Sequence, residues 1–184
     1  MLAWGIVVFV IVGASPAMGQ SALEDLLGTL NLSAYAPGMW PPPFTGQTIT
    51  GREMSLTDLE GRVALVNFWA SWCAACRPEM PMFERLHRDY TTQRLVVLGI
   101  NYRERTQIIQ RYAKELDLTF PLLLDPKGEI ARSYGVIGLP TTFLVSRDGR
   151  PVALAVGPRQ WSSAEARALI RALLAESVTQ KEFP

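Results

Sequence analysis

The run Val63-Ala64-Leu65-Val66-Asn67-Phe68-Trp69 constrains this chain more than any other stretch. Its β-favouring side chains follow one another without alternation, as in a strand covered on both faces, and it points straight at Cys73. Residues 73–90 read as a helix. There Met82, Phe83, Leu86 and Tyr90 share one face, Glu84, Arg85, Arg88 and Asp89 the other, and Pro81 lies inside, where a kink is expected. A second buried strand over 95–100 precedes a helix with Ile108, Ile109, Tyr112, Ala113 and Leu116 inward, then a short strand over 120–124 and a short helix over 129–134. Strands alternating with helices imply right-handed parallel crossovers. Residues 138–145 form a strand that turns at Arg147-Asp148-Gly149-Arg150 into 152–156, an antiparallel pair. Ser162-Ser163-Ala164-Glu165 reads as a capping box for a closing helix with Ala168, Leu169, Ala172, Leu173 and Leu174 inward. Upstream, Thr48-Ile49-Thr50 and Glu53-Met54-Ser55 read as a hairpin around Gly51-Arg52, and 55–59 as one helical turn. The expected class is α/β, with a central mixed sheet flanked by helices.

Charge and ligand inventory narrow the chemistry. Eighteen Lys and Arg balance 17 Asp and Glu for a net charge of +1, so no basic stripe exists for a phosphate backbone and nucleic acid is excluded as a partner. With one His (His87) and two Cys (Cys73, Cys76), the chain falls short of the four ligands of a structural zinc site. No metal and no cofactor are expected. A disulfide closing so short a loop removes only roughly 2 kcal/mol of chain entropy, so the cysteine pair is read as chemistry rather than as a staple.

The amino-terminal residues 2–12 are almost wholly apolar, break at Gly13, Ser15 and Pro16, and lead into Ala17-Met18-Gly19-Gln20. That is the shape of a signal peptide cleaved after Ala17 or Gly19, although no Lys or Arg precedes the apolar run. An uncleaved segment would instead be a marginal membrane anchor and tether the product. The organisation read from the chain is 1–19 as signal peptide or anchor, 20–43 as a lead-in, 44–177 as the folded domain and 178–184 as a tail. The lead-in is marked by Pro37, Gly38 and Pro41-Pro42-Pro43. The expected location is periplasmic or otherwise extracytoplasmic, where a close cysteine pair rests as a disulfide unless something reduces it.

A thiol attacks as thiolate, and a helix amino end stabilises that anion. Cys73 is expected at such an end. Cys76, one turn on, would attack a mixed disulfide formed at Cys73 and release the reduced partner. Trp72 would shield one side of the sulfur. The alternative is two ordinary buried cysteines.

Trp72-Cys73-Ala74-Ala75-Cys76, the preceding Val66-Asn67-Phe68-Trp69-Ala70 and the later Leu139-Pro140-Thr141-Thr142 resemble a thioredoxin-fold protein. Cys76-Arg77-Pro78-Glu79-Met80-Pro81, the lead-in Ser55-Leu56-Thr57-Asp58-Leu59-Glu60-Gly61-Arg62 and an extra helix and strand between about 106 and 124 are similar to its TlpA/ResA/CcmG-like branch. The resemblance covers roughly 44 to 176. It implies an extracytoplasmic thiol–disulfide oxidoreductase that acts on protein thiols and disulfides, often in cytochrome c maturation. It makes Cys73 the attacking thiol, Cys76 the resolving one, and Pro140 a cis proline beside the disulfide. The backbone of Leu139 could there pair with a substrate strand, and Pro81 matches the fold's helix-kinking proline. Asn67 departs from the pattern, standing where thioredoxin has a buried Asp that moves protons. Glu79, three residues past the second Cys, matches a Glu with a comparable role in the ResA-like branch; the alternative for it is a solvated helix glutamate.

Reductase work outside the cytoplasm requires electrons from a membrane thiol carrier of the DsbD/CcdA type. Three rivals use the same cysteines. A disulfide-forming oxidase differs only in reduction potential. A thiol chaperone handling Cu(I) or haem would hold its cargo on the two thiolates. A peroxidase of the peroxiredoxin kind would need a Thr three residues before the thiol, where this chain has Ala70. Covalent c-type haem is excluded because Arg77, not His, follows the second Cys. His87 is read as a surface or packing residue, Trp40 and Trp69 as core and rim aromatics, and Trp161 as lying near the last helix cap.

Overall fold

All seven residues of strand β4 (Val63–Trp69) are buried, as the unbroken run requires. The computed structural model describes residues 17–35 and 41–176. The expectations for 2–12, Trp40 and the 178–184 tail fall outside the described residues. Before β4 come helix α1 (Ala17–Thr29), strand β1 (Ser33–Ala34), the hairpin strands β2 (Thr45–Gln47) and β3 (Glu53–Ser55), and a 3₁₀ turn (Leu56–Leu59). After it come α2 (Glu79–Tyr90), β5 (Leu95–Tyr102), α3 (Thr106–Glu115), β6 (Leu122–Asp125), α4 (Glu129–Ser133), β7 (Thr141–Val145), β8 (Pro151–Val156) and α5 (Ala164–Ala175).

The six-stranded sheet runs β1-β8-β7-β4-β5-β6, with β4 near its centre. β5 pairs with β4 in parallel from Val63↔Leu95 to Trp69↔Asn101, whereas β7 is antiparallel to β4 and β8 to β7. Side-chain alternation along β4 divides the core in two. Val63, Leu65 and Trp69 meet Phe83 of α2, Ile109 of α3 and Leu169 of α5 on one face. Ala64, Val66 and Phe68 meet Phe44, Met54, Leu59 and Ala131 on the other. This is the expected mixed α/β sheet, and it carries the carboxyl end of β4, with the cysteines beyond it, to one rim.

Four local expectations are corrected. The lead-in over 20–43 holds regular structure, because α1, which starts at Ala17, runs into it and β1 lies in it, paired with β8 through Ser33↔Leu154 and Ala34↔Ala153. Leu23, Leu26, Leu27 and Leu30 stand at helical spacing and pack on the core, a short period masked by the proline-rich stretch that follows. The hairpin's second strand is Glu53–Ser55 as expected, but its first is Thr45–Gln47, three residues earlier, and Thr48 bridges Leu123 of β6 instead. Regular α2 begins at Glu79, not Cys73, so Pro81 sits in its first turn, where the missing N–H has no partner to lose and no kink is required. Finally, Ser163 is the N-cap of α5, accepting from the Ala166 N–H at 3.1 Å, and Ala166, Leu169, Ile170 and Leu173 face inward. That helix is apolar nearly all round, so its sequence leaves the inner face undetermined.

Candidate active site

Beyond Trp69 the chain makes a run of tight turns before α2 starts. The N–H of Cys73 donates to the Ala70 carbonyl at 3.2 Å, that of Cys76 to Cys73 at 3.1 Å, and that of Glu79 to Cys76 at 3.0 Å. The two cysteines are joined as a disulfide with their Cα atoms 5.3 Å apart. Cys73 is 7% exposed and lines a surface groove, whereas Cys76 is 1% exposed and does not, so Cys73 is the less covered of the two. Since α2 begins six residues later, the anion-stabilising group at Cys73 is local rather than the helix end: the Cys76 amide donates to Cys73 Sγ at 3.2 Å.

A carboxylate clamps the loop that leads into the disulfide. Glu104 Oε2 accepts from the Ser71 N–H and the Asn101 amide, both at 2.7 Å, and Glu104 Oε1 from the Ser71 hydroxyl at 2.5 Å. Sequence reasoning missed Glu104, because its partners lie on the cysteine loop and on β5 and nothing local marks the pairing. Glu104→Ala leaves those donors unmatched and is expected to lower unfolding free energy by about 2 kcal/mol. Denaturant melts measure this, and alkylation of the reduced protein should show Cys73 reacting more slowly.

Leu139–Pro140 is cis, as the resemblance implied. Pro140 is buried, and its carbonyl accepts from the Gly157 N–H at 2.9 Å. Among the described residues neither backbone group of Leu139 has a backbone partner. Leu139 lines a groove of 450 Å³ with Trp72, Cys73, Tyr102, Val136 and Ile137. Trp72 at 65% exposure and Ile137 at 93% stand on its rim. An extended peptide laid here would find apolar cover, two free backbone groups and the more accessible sulfur together.

Glu79 is buried, which overturns the solvated-glutamate alternative. Its Oε1 accepts from Trp161 Nε1 at 2.6 Å and from the Arg159 N–H at 2.8 Å, while its Oε2 has no partner. Burial pushes the carboxyl up to about 7 against the pull of those donors and of the Arg159 charge. Trp161, expected merely near a helix cap, is buried as the donor to this carboxylate; a buried indole N–H requires such an acceptor, the one signal that pointed to it. Asn67 is buried and donates to Thr142 Oγ1 at 2.9 Å, a neutral contact. His87 is half-buried against Phe120, as a packing residue, and its burial lowers the imidazole pKa.

A mixed sheet that carries a Cys-x-x-Cys disulfide off the end of its central strand and faces it with a cis proline defines a thioredoxin-fold thiol–disulfide oxidoreductase. Residues 37–152 match the AhpC/TSA family. The chain is 35% identical over 125 residues to the thiol-disulfide oxidoreductase ResA of Geobacillus thermodenitrificans, covering 68% of this chain and 72% of that one. Among solved structures it resembles a Chlorobium tepidum protein assigned as thiol:disulfide interchange protein DsbE, with TM-score 0.70 and 31% identity over 77% of this chain and all of that one. A secreted thiol-disulfide isomerase from Corynebacterium glutamicum matches with TM-score 0.68 and 27% identity, over 79% of this chain and 92% of the other. The chain belongs to the AhpC/TSA family, and within it to the ResA-like thiol–disulfide oxidoreductases.

Proposed function

We propose that this protein reduces disulfides of partner proteins outside the cytoplasm, in service of cytochrome c maturation or metal-site assembly. The observation that carries this reading is the unequal pair: a less covered Cys73 that lines an apolar groove, and a fully buried Cys76 in the turn leading to Glu79. In the dithiol form, the Cys73 thiolate attacks a partner disulfide, forming a mixed disulfide and releasing one partner thiolate. Glu79, as carboxylate, takes the proton of Cys76. The Cys76 thiolate then attacks Cys73 Sγ, forming the Cys73–Cys76 disulfide and releasing the second partner thiolate. Two electrons pass to the partner. Two more must arrive to reset the pair, and a membrane thiol carrier of the DsbD/CcdA type supplies them by the reverse exchange. Trp72, Leu139 and Pro140 hold the substrate strand. The apolar segment 2–12 supports export or a membrane tether, and the secreted relative supports the same compartment.

Equilibration of the Cys73–Cys76 pair against dithiothreitol or glutathione buffers tests the direction of flow. The expected potential is near or below the roughly −270 mV of thioredoxin; a value close to the roughly −120 mV of a strong oxidant would make the protein a disulfide former.

A further inference from the structure

Arg159 takes no part in the exchange just described, yet its guanidinium is enclosed by carbonyls from two distant parts of the chain. Nε donates to Leu30 O at 2.9 Å and Asn31 O at 3.2 Å, and Nη2 to Asn31 O at 2.7 Å. Nη1 donates to the carbonyls of Val156, Gly157 and Pro158 at 3.2, 3.2 and 2.9 Å. The backbone N–H of the same residue donates to Glu79 Oε1 at 2.8 Å. One residue thus joins the end of α1 to the carboxylate.

The end of α1 is built to receive a cation. Leu32 N–H returns to Leu27 O at 2.8 Å and Asn31 N–H to Gly28 O at 2.9 Å, with Asn31 left-handed at φ 52°, which closes the helix in a Schellman turn. The carbonyls of Leu30 and Asn31 are left facing outward at the negative end of the helix dipole, where a guanidinium is favourable. Leu27, Leu30 and Leu32 are buried in the same core as Trp161, so the helix end is anchored. Both α1 and Arg159 lie outside the residues, 37–152, that match the family.

We propose that Arg159 is a positioning residue that makes α1 a working part of the site: held on the helix-end carbonyls, it fixes the 157–160 loop so that its amide meets Glu79. The proposal rests on the proton-transfer role of Glu79. Among the described residues, the groups facing that carboxyl are the Trp161 indole and Arg159, and Arg159 brings the only charge acting on it. Loss of the guanidinium removes that charge and leaves the backbone donor unpinned, and each change favours the neutral acid.

The test follows the rate of mixed-disulfide resolution against pH in the full chain. Arg159→Met is expected to move the inflection to higher pH while alkylation of Cys73 in the reduced protein stays unchanged. Arg159→Lys, which keeps the charge but not the fork, should move it part of the way. Asn31→Val strains the left-handed position and loosens the carbonyls that hold the guanidinium while leaving Arg159 itself in place, and it should move the inflection in the same direction. Combined with Arg159→Met, it should add nothing further. Denaturant melts establish that each variant is folded, and Arg159→Lys with Asn31→Val still read the coupling if Arg159→Met is not. An inflection that vanishes in Glu79→Gln but stays in place in the Arg159 variants overturns the coupling alone. A shift with Arg159→Met but none with Asn31→Val overturns the part given to α1. An inflection that survives Glu79→Gln overturns the role of the carboxylate, and this coupling with it.

Discussion

Cys73→Ala is expected to leave no measurable disulfide turnover, a loss of about 10⁴-fold or more, as when the nucleophile of a covalent mechanism is removed. Cys76→Ser should behave differently. With Cys73 at the groove and Cys76 under cover, the serine variant keeps the first attack and lacks the second, so it should accumulate as a covalent adduct with its partners. On non-reducing gels of an extracytoplasmic extract, such adducts should appear with Cys76→Ser, collapse on reduction, and be missing with Cys73→Ala. If Cys76→Ser captures nothing, or the two single variants capture equally, the order of attack drawn from burial is wrong.

Glu79→Gln should slow resolution of the mixed disulfide by about 10²-fold, the lower range for loss of a positioned general base, and leave the first attack largely intact. In the wild type, resolution should accelerate as pH rises through about 7, where the Glu79 carboxyl ionises, and the glutamine variant should lose that inflection. Stability runs the opposite way. Burial raises the folded-state pKa from 4.5 to about 7, so the folded chain holds a proton that the unfolded chain has released. The stabilisation from this group is full below about 4.5 and is lost as pH rises to about 7, at most about 3 kcal/mol in all. Glutamine can accept from the Arg159 and Trp161 donors and carries no charge. Glu79→Gln should therefore flatten that slope, and at pH 8 it should unfold at higher denaturant concentration than the wild type. A variant less stable at pH 8, or equal resolution rates on both sides of pH 7 in the wild type, would refute the assignment.

What could be read ahead of the structure had local or periodic causes. The fully buried β4, the parallel crossovers, the β7–β8 hairpin and the paired cysteines all follow from runs, spacings and turn residues within a few positions of one another. The cis Leu139–Pro140 bond and the role proposed for Glu79 came through resemblance to a family, since a proline turn before a strand or a carboxylate one turn past a cysteine is too weak a local signal to carry either. The seat of Glu79 was out of reach: Trp161 lies 82 positions away, and only the closed fold brings it to Oε1. Glu104 was hidden for the same reason, its Ser71 partner being 33 positions off. The missed α1 is a different case, because its leucine period is present but short and adjoins a tract of prolines.

The pairing of β1 with β8 and the packing of α1 beside α5 join the first described residues of the chain to the last. Leu30 and Arg159 are 129 positions apart, and both donors to Glu79 come after the whole central sheet has been laid down. A nascent chain emerging from its amino end therefore presents both thiols well before it can present the finished pocket around the carboxyl. Contacts of such high sequence separation carry the largest loop-closure cost in forming this pocket. The seat of the Glu79 carboxyl thus waits on synthesis of residues 159–161, and a nascent chain that has not reached them carries both thiols without those two donors.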